Sequence, residues 1–247
     1  MRKIGIIGGI GWPSTIEYYR LICEASQLYH NDKKFSGPTP MPEIVIESMN
    51  MNFTVNNRGS TEPDSWHMWD EYFTAAIHRL ENSGAELILL ASVTPHARLA
   101  EISKDTNIPI INIYESIGAH CNANGIVNLL VLGTMPTMTS PSFKCGMEKF
   151  GVNVFHPPTG KLKTGVIDVI EKLYQNKTDG AALTIDELVR SCVPVEELDN
   201  TAVCLGCTEL PLAFKGLKDN SSFKYRGVNY LNSSVVHALS AFQACVK

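Results

Sequence analysis

The chain has 247 residues, of which 44% are hydrophobic and 19% are charged, and its formal net charge at pH 7 is −4. This composition is typical of a folded globular protein and excludes a disordered chain and a membrane array. The negative net charge gives no overall positive field, so we expect no nucleic-acid partner, and the composition predicts no membrane partner.

Short apolar segments of strand length recur along the chain and alternate with amphipathic segments of ten to fifteen residues. The first follows the basic N-terminus and is interrupted by glycines, which favours a strand over a signal peptide. The strand-like segments are 3–9, 43–48, 86–92, 108–113, 126–134, 152–157 and 201–206. This alternation predicts an α/β protein with mainly parallel, buried sheets.

The segments between the strands have helical signals. Ser14 and Glu17 have the spacing of a capping box, and Gly84 is placed to end a helix before the third strand. That helix carries Trp69, Phe73, Ile77 and Leu80 on one face. Further helices are predicted within 163–176, 184–193 and 232–247, with a surface turn at 177–180.

An internal repeat divides the chain. "IIGGIG" is followed about 125 residues later by "VLGTMPTM", and "LLASVTPH" is followed about 115 residues later by "VCLGCTEL". The repeat predicts two pseudo-symmetric lobes, each a mainly parallel sheet flanked by helices. We expect one lobe at 1–115 plus 215–247 and the other at 116–214. Since parallel sheets place their sites at strand carboxyl ends, the expected site is a cleft between the lobes.

The number and spacing of the cysteines indicate which kinds of site the sequence can form. Their odd number, seven, and irregular spacing argue against a disulfide framework and for a reducing, cytoplasmic compartment. Cys204 and Cys207 have the C-x-x-C spacing of zinc or dithiol sites, but no histidine pair has ligand spacing, so no metal is expected. Cys207 ends a buried strand, where backbone N–H groups favour a thiolate. Cys204, inside the apolar run, is more simply a core residue, and a core position is also open for Cys207.

The glycine cluster at 8–11 leaves two interpretations open. It lacks the last glycine of the G-x-G-x-x-G motif and the lysine of a P-loop, which argues against a nucleotide-binding site. A tight turn before a helix N-terminus can bind a carboxylate. The glycines can equally serve only to fit the turn.

Four segments in chain order resemble the aspartate/glutamate racemase superfamily, and its aspartate racemase branch in particular. They are "KIGIIGGIGWPSTIEYYRLI", "VLGTMPTMTSPSF", "LGCTELPL" and "NSSVVHAL". The resemblance implies an isomerase that racemises a small acidic amino acid without pyridoxal phosphate, another cofactor or a metal, and that forms a homodimer. It also implies two cysteines on opposite sides of the α-carbon, of which Cys207 is the second.

The first cysteine of that pair is missing. The segment "LLASVTPHARL" resembles the family's C-N-T-x-H, with Thr94 and His96 matching and Ser92 at the cysteine position. If the alignment shifts by one residue, Ala91 stands there instead, and Val93 replaces the asparagine. A serine hydroxyl is a far weaker acid than a thiol, so we expect a slow or direction-biased racemase.

The resemblance assigns roles to further residues. Cys207 is the acid/base residue, with Ser92 and His96 as weaker catalytic partners, and His96 is also compatible with a cap on its turn. Lys163 is the expected carboxylate cation, with Lys161 as the alternative. The expected substrate-binding residues are Gly9, Ser14, Asn50, Thr94, Thr134, Thr137, Lys163, Thr208 and Glu209.

Two alternative functions stay open. The superfamily contains decarboxylases resembling arylmalonate decarboxylase, in which a single cysteine at the Cys207 position protonates a carbanion. One thiol without a partner, and the apolar Val93, suit that reaction. The other alternative is a protein that binds an acidic metabolite without turnover.

Overall fold

The computed structural model describes residues 1–31, 37–60, 62–139 and 141–247, and its strands form two sheets. The chain divides into unit 1, Met1–Asn112 with His237–Lys247, and unit 2, Ile113–Val236. The strands are β1 (Ile4–Gly8), β2 (Ile44–Ser48), β3 (Leu87–Leu90), β4 (Asn128–Leu132), β5 (Asn153–Phe155), β6 (Thr201–Leu205), β7 (Ser222–Tyr225) and β8 (Val228–Asn232).

Ten α-helices are described in these ranges, together with short 3-10 segments such as Thr94–Arg98. The helices are α1 (Trp12–His30), α2 (Met51–Asn56), α3 (His67–Asn82), α4 (Leu99–Ile102), α5 (Ile113–Ala123), α6 (Met135–Thr139), α7 (Pro141–Glu148), α8 (Gly160–Tyr174), α9 (Ala181–Cys192) and α10 (Ser233–Val246).

Unit 1 contains a three-stranded parallel sheet in the order β2-β1-β3. β1 and β3 are buried along their whole length, which explains why their sequences are continuous apolar runs without alternation. The predicted face of α3 packs on this sheet. Its Trp69 and Phe73 rings stack with centroids 4.0 Å apart, and Trp66 meets Trp69 edge-on at 5.3 Å. These aromatic side chains supply much of the unit 1 core.

Unit 2 contains a five-stranded sheet in the order β5-β4-β6-β8-β7, in which only β7 runs antiparallel. Helices α8 and α9 bury their apolar faces against it, as their periodicity predicts. The expected α/β class, with two mainly parallel sheets flanked by helices, is confirmed.

The boundary of the second unit differs from the one expected from the sequence, which assigned 215–247 to the first lobe. Residues 215–236 belong to unit 2 because β8 pairs with β6. The β7–β8 hairpin turns at Arg226 and Gly227, whose φ angles are 48° and 85°. Arg-Gly is not among the strong hairpin-turn dipeptides, which is why the sequence did not reveal these strands.

Two local predictions were wrong. The segment 108–113 forms a single bridge, Ile88 to Ile110, because Pro109 has no N–H to extend the pairing. Helix α1 begins at Trp12, two residues before the expected capping box, with Gly11 at its N-cap. Ser14 is buried instead, and Glu17 pairs with Arg20 at 2.6 Å.

Candidate active site

The carboxyl edge of the unit 2 sheet brings the ends of β4 and β6 together. The Gly206 N–H donates to the Leu132 carbonyl across 2.7 Å, and a Cβ on Gly206 would lie 2.9 Å from that oxygen. Only glycine permits this approach without a shift of the backbone. The segments that begin at Thr134 and at Cys207 therefore leave the sheet from neighbouring strands.

Cys207 is hydrogen-bonded to a buried carboxylate. Its Sγ donates to Glu209 Oε2 across 3.0 Å, and the Thr208 hydroxyl donates to the same oxygen across 3.1 Å. Cys207 is 5% exposed and Glu209 2%. A carboxylate in this position can take the thiol proton. The family resemblance implies that Glu209 binds substrate, whereas its Oε2 already accepts two hydrogen bonds within the chain.

The other cysteine of the C-x-x-C pair has a different environment. Cys204 lies in the middle of β6 and is fully buried, and burial, with a smaller effect of Cys121, raises its pKa well above the ordinary value. A thiol with a raised pKa stays protonated and inert. All seven cysteines are free thiols. Cys204 is therefore a core residue.

Two threonines follow β4 at the same edge. The Thr134 and Thr137 hydroxyls are buried and lie 3.1 Å apart. Lys163 is half-buried in the first turn of α8, which begins after the Thr159 N-cap. These residues supply hydroxyl groups and an ammonium group within unit 2.

His156, which directly follows β5 in unit 2, is not among the residues expected from the sequence. Burial lowers its pKa, a hydrogen bond to the Val131 backbone opposes that effect, and the Lys163 charge lowers it further. Its Nδ1 is buried with no hydrogen-bond partner among the described residues. No local motif signals this histidine, because its neighbours come from β4 and α8.

In unit 1, the glycine turn after β1 is shaped by close packing. Gly9 has a φ of 72°, and a Cβ there would lie 2.2 Å from the Met49 carbonyl oxygen. Its N–H donates to Thr15 Oγ1 across 2.8 Å. That N–H is therefore already used within the chain, which supports the structural interpretation of the glycine.

Ser14 and Asn50 also make contacts within unit 1. The Ser14 hydroxyl lies 2.7 Å from the Gly11 carbonyl and 3.1 Å from that of Ala91, so it joins the turn after β1 to the end of β3. Asn50 is exposed and caps α2 by accepting a hydrogen bond from the Phe53 N–H.

The end of β3 carries Ser92 and His96. Ser92 is half-buried, and its hydroxyl makes no hydrogen bond within the described part of the chain. Val93, Thr94 and His96 are buried. Burial lowers the pKa of His96 well below its usual value, and His237 adds to this effect. His96 is therefore neutral at pH 7.

A hydrogen-bonded chain fixes the neighbouring His237, whose ring meets that of His96 edge-on at 5.2 Å. His237 Nε2 lies 2.8 Å from the Ile111 carbonyl and therefore carries the proton, so Nδ1 accepts from the Tyr18 hydroxyl at 2.9 Å. Burial lowers the pKa of His237 to about 4. Unit 1 thus contains two buried, neutral histidines.

Arg58, which follows α2, is a second residue that sequence reasoning missed. It is half-buried, and its Nε is buried without a hydrogen-bond partner among the described residues. Because a buried guanidinium N–H without an acceptor is costly, this arginine is suited to an anionic ligand.

The sequence profile of the Asp/Glu/hydantoin racemase family matches residues 7–241. The chain belongs to this family. The resemblance drawn from the sequence is confirmed at this level. Racemases, for which the family is named, are isomerases.

The chain is also similar in sequence and fold to individual racemases. A glutamate racemase from Koribacter versatilis is 26% identical over 186 residues, covering 73% of this chain. The match spans 62% of that relative's length. An aspartate racemase homologue from Pyrococcus horikoshii superposes with a TM-score of 0.76 at 27% identity, with both chains fully covered. Picrophilus torridus aspartate racemase has the same fold, with a TM-score of 0.73 at 18% identity over 100% of this chain and 95% of its own.

Other features of this family member lie away from Cys207. A cavity of about 620 Å³ opens at the amino edge of the unit 2 sheet, beside Asn128 and Thr201, and no predicted site residue lines it. Across the described ranges, no group of three or more His, Cys, Asp or Glu side chains is arranged to hold a metal ion. In the same ranges, no helix has the length and apolarity needed to cross a membrane.

Proposed function

We propose that this racemase-family chain acts at the α-carbon of aspartate, glutamate or a related acidic compound, with Cys207 as its acid/base residue. The observation that carries the proposal is the 3.0 Å hydrogen bond from the Cys207 thiol to the buried Glu209 carboxylate. A thiol held against a carboxylate can lose its proton and still keep that proton within reach. The reaction needs neither pyridoxal phosphate nor a metal.

In the proposed step, the Cys207 proton passes to Glu209 Oε2, and the thiolate then removes the α-proton of the substrate. The two electrons of the broken C–H bond remain on the substrate as a carbanion, delocalised into its carboxylate. Thr208 stays hydrogen-bonded to Glu209 and fixes its orientation. Reprotonation on the opposite face completes a racemisation.

The residues available for that second protonation are weaker. Ser92 has a hydroxyl in place of a thiol, and His96 is buried with a lowered pKa, so it is neutral at pH 7. A neutral hydroxyl donates a proton only with difficulty and removes one even less readily. We therefore propose a slow racemase with a directional bias.

Substrate carboxylates need cationic and hydroxyl groups, and both units supply them. In unit 2, the proposed carboxylate-binding residues are Lys163, Thr134 and Thr137. In unit 1, the proposed carboxylate-binding residue is Arg58. The other predicted substrate-binding residues of unit 1 are proposed to hold the backbone of the site in shape; they are Gly9, Ser14, Asn50 and Thr94. The hydrogen bonds that the first three already make within the chain support this role.

The test is exchange of the α-hydrogen for deuterium in D₂O, followed by NMR with L- and D-aspartate and L- and D-glutamate. We expect exchange with the wild type and a loss of ~10³-fold in Cys207→Ala, because the acid/base group is gone. Cys204→Ala is the matched control and keeps the wild-type rate. Equal exchange by the wild type and Cys207→Ala would exclude Cys207 from the reaction.

A decarboxylase is the second candidate, supported by the single thiol and by the buried Val93 in place of a polar side chain. In that reaction the substrate loses carbon dioxide, the resulting carbanion takes the Cys207 proton, and the thiolate is reprotonated from water. A decarboxylase would release carbon dioxide from substituted malonates and would not exchange the α-hydrogen of amino acids. Calorimetric binding of aspartate or glutamate with neither reaction identifies a binding protein.

We further propose that the protein works as a cytoplasmic homodimer. The free state of all seven cysteines supports a reducing compartment. Light scattering of the purified protein tests the dimer, and a mass of one chain, 27.2 kDa, would contradict it.

A further inference from the structure

Two serines at the start of α10 lie next to the end of β6. The last residue pair between β6 and β8 is Leu205 with Asn232, and neighbouring strands are about 4.8 Å apart. Cys207 comes two residues after this pair, in the turn that follows β6, and Ser234 comes two residues after it, in the first turn of α10. Both residues therefore lie just beyond the carboxyl ends of neighbouring strands of the same sheet.

The two serine hydroxyls differ in what they bind. Ser233 Oγ donates to the Leu205 carbonyl across 2.6 Å, so it holds the start of α10 against β6. Ser234 is only 4% exposed, and its Oγ is buried with no hydrogen-bond partner among the described residues. The Ser234 N–H is satisfied, because it donates to Asn232 Oδ1 across 3.0 Å.

A buried hydroxyl without a partner is uncommon in folded proteins, because its desolvation is not compensated. Alanine at this position would avoid that cost and would favour the helix. Within the described part of the chain, Ser234 thus has a free hydroxyl at the same edge of the sheet as Cys207, where a bound ligand can supply the missing partner.

We propose that the Ser234 hydroxyl donates a hydrogen bond to the substrate carboxylate attached to the carbon on which Cys207 acts. The inference rests on the function proposed above. When the α-proton leaves, negative charge grows on the oxygens of that carboxylate, so the hydrogen bond is stronger in the transition state than in the ground state. Ser234 is then a catalytic residue that lowers the barrier to carbanion formation.

The first experiment uses Cys207 alkylation, which does not depend on turnover. Iodoacetate carries a carboxylate on the carbon that the thiolate attacks, whereas iodoacetamide carries a neutral amide there. The rate of each reaction is followed by mass spectrometry of the peptide that contains Cys207. We expect Ser234→Ala to slow iodoacetate about tenfold relative to iodoacetamide, the loss expected for one hydrogen bond to a charged group.

Ser233→Ala is the matched control, because it removes a neighbouring hydroxyl that already has an acceptor. It lowers thermal stability but leaves the ratio of the two alkylation rates unchanged. Ser234→Thr retains a hydroxyl and keeps the wild-type ratio. An unchanged ratio in Ser234→Ala overturns the proposal, as does an equal change in Ser233→Ala.

The second experiment is α-deuterium exchange, in which Ser234→Ala lowers kcat by ~10²-fold with little change in KM. If the wild type exchanges no amino acid but the alkylation ratio still depends on Ser234, the proposed function fails and the carboxylate contact stands. If the wild type exchanges and Ser234→Ala matches it in both experiments, the Ser234 inference alone fails.

Discussion

The ends of β3 in unit 1 and β6 in unit 2 occupy corresponding places in the repeat but carry different chemistry. β6 leads to a thiol and a hydroxyl that both donate a hydrogen bond to the same carboxylate. β3 leads to Ser92, whose hydroxyl makes no hydrogen bond among the described residues, and then to the neutral His96. One strand end thus holds a thiol against a carboxylate, whereas the other buries an uncharged imidazole.

This difference shows that the two halves of a repeated fold need not keep the same chemistry. Unit 2 buries a carboxylate beside its thiol, while unit 1 buries two uncharged histidines whose pKa values are lowered by burial. The contrast predicts that acid destabilises unit 1 and that substitutions at Glu209 reduce activity.

The largest expected effect is on the stability of unit 1. Burial lowers the pKa of His237 from 6.5 to about 4, so between these values the unfolded chain binds a proton that the folded chain excludes. The free energy of unfolding is unaffected above pH 6.5 and falls by on the order of 3 kcal/mol as the pH decreases to 4. Urea unfolding curves at pH 7 and pH 4 measure this change.

His237→Gln is the control for that experiment, because glutamine retains one donor and one acceptor but does not titrate. We expect its free energy of unfolding to vary less between pH 7 and pH 4 than that of the wild type. Identical pH dependence in both proteins would contradict the assignment of the effect to His237.

A smaller effect is expected at the other strand end, for Glu209→Gln. The amide keeps the shape of the side chain but cannot take the thiol proton, so we expect the α-exchange rate to fall about 10- to 100-fold. Initial rates at saturating substrate measure it, and Thr208→Val provides a comparison in which only the supporting hydroxyl is lost. A wild-type rate in Glu209→Gln would show that the carboxylate is not the proton acceptor.

The smallest effect, and the only gain, is expected for Ser92→Cys. Because a thiol is a much stronger acid than a hydroxyl, the variant restores a second acid/base group and raises racemisation about tenfold. The forward and reverse rates, followed by circular dichroism, should become more similar. A rate at or below that of the wild type would mean that Ser92 does not occupy the position of the family's first cysteine.

The sequence predicted the fold well wherever local patterns determine the structure. Continuous apolar runs correctly indicated β1, β3, β4 and β6, because burial on both faces of a parallel sheet leaves that pattern. The β7–β8 hairpin was missed because Ser222–Tyr225 is a half-exposed edge strand and its turn begins with an arginine in the left-handed region. Edge strands and unusual turns depend on their tertiary neighbours.

The candidate site was predictable only in part. Cys207 is expected from its place at a strand end, and the structure adds that Glu209 accepts its hydrogen bond. Residues two apart in a turn meet only through particular backbone angles, which no sequence pattern specifies. Arg58, His156 and Ser234 were missed for a similar reason: what marks them is a buried atom without a partner, and burial there depends on distant segments.

The Trp66–Trp69–Phe73 aromatic stack of unit 1 also provides a spectroscopic probe. The chain has three tryptophans, and the third, Trp12, begins α1 in the same unit. Unit 2 contains no tryptophan at all. Intrinsic fluorescence therefore reports the melting of one half of the protein, while far-ultraviolet dichroism reports both, so a gap between the two curves would reveal that the halves unfold separately.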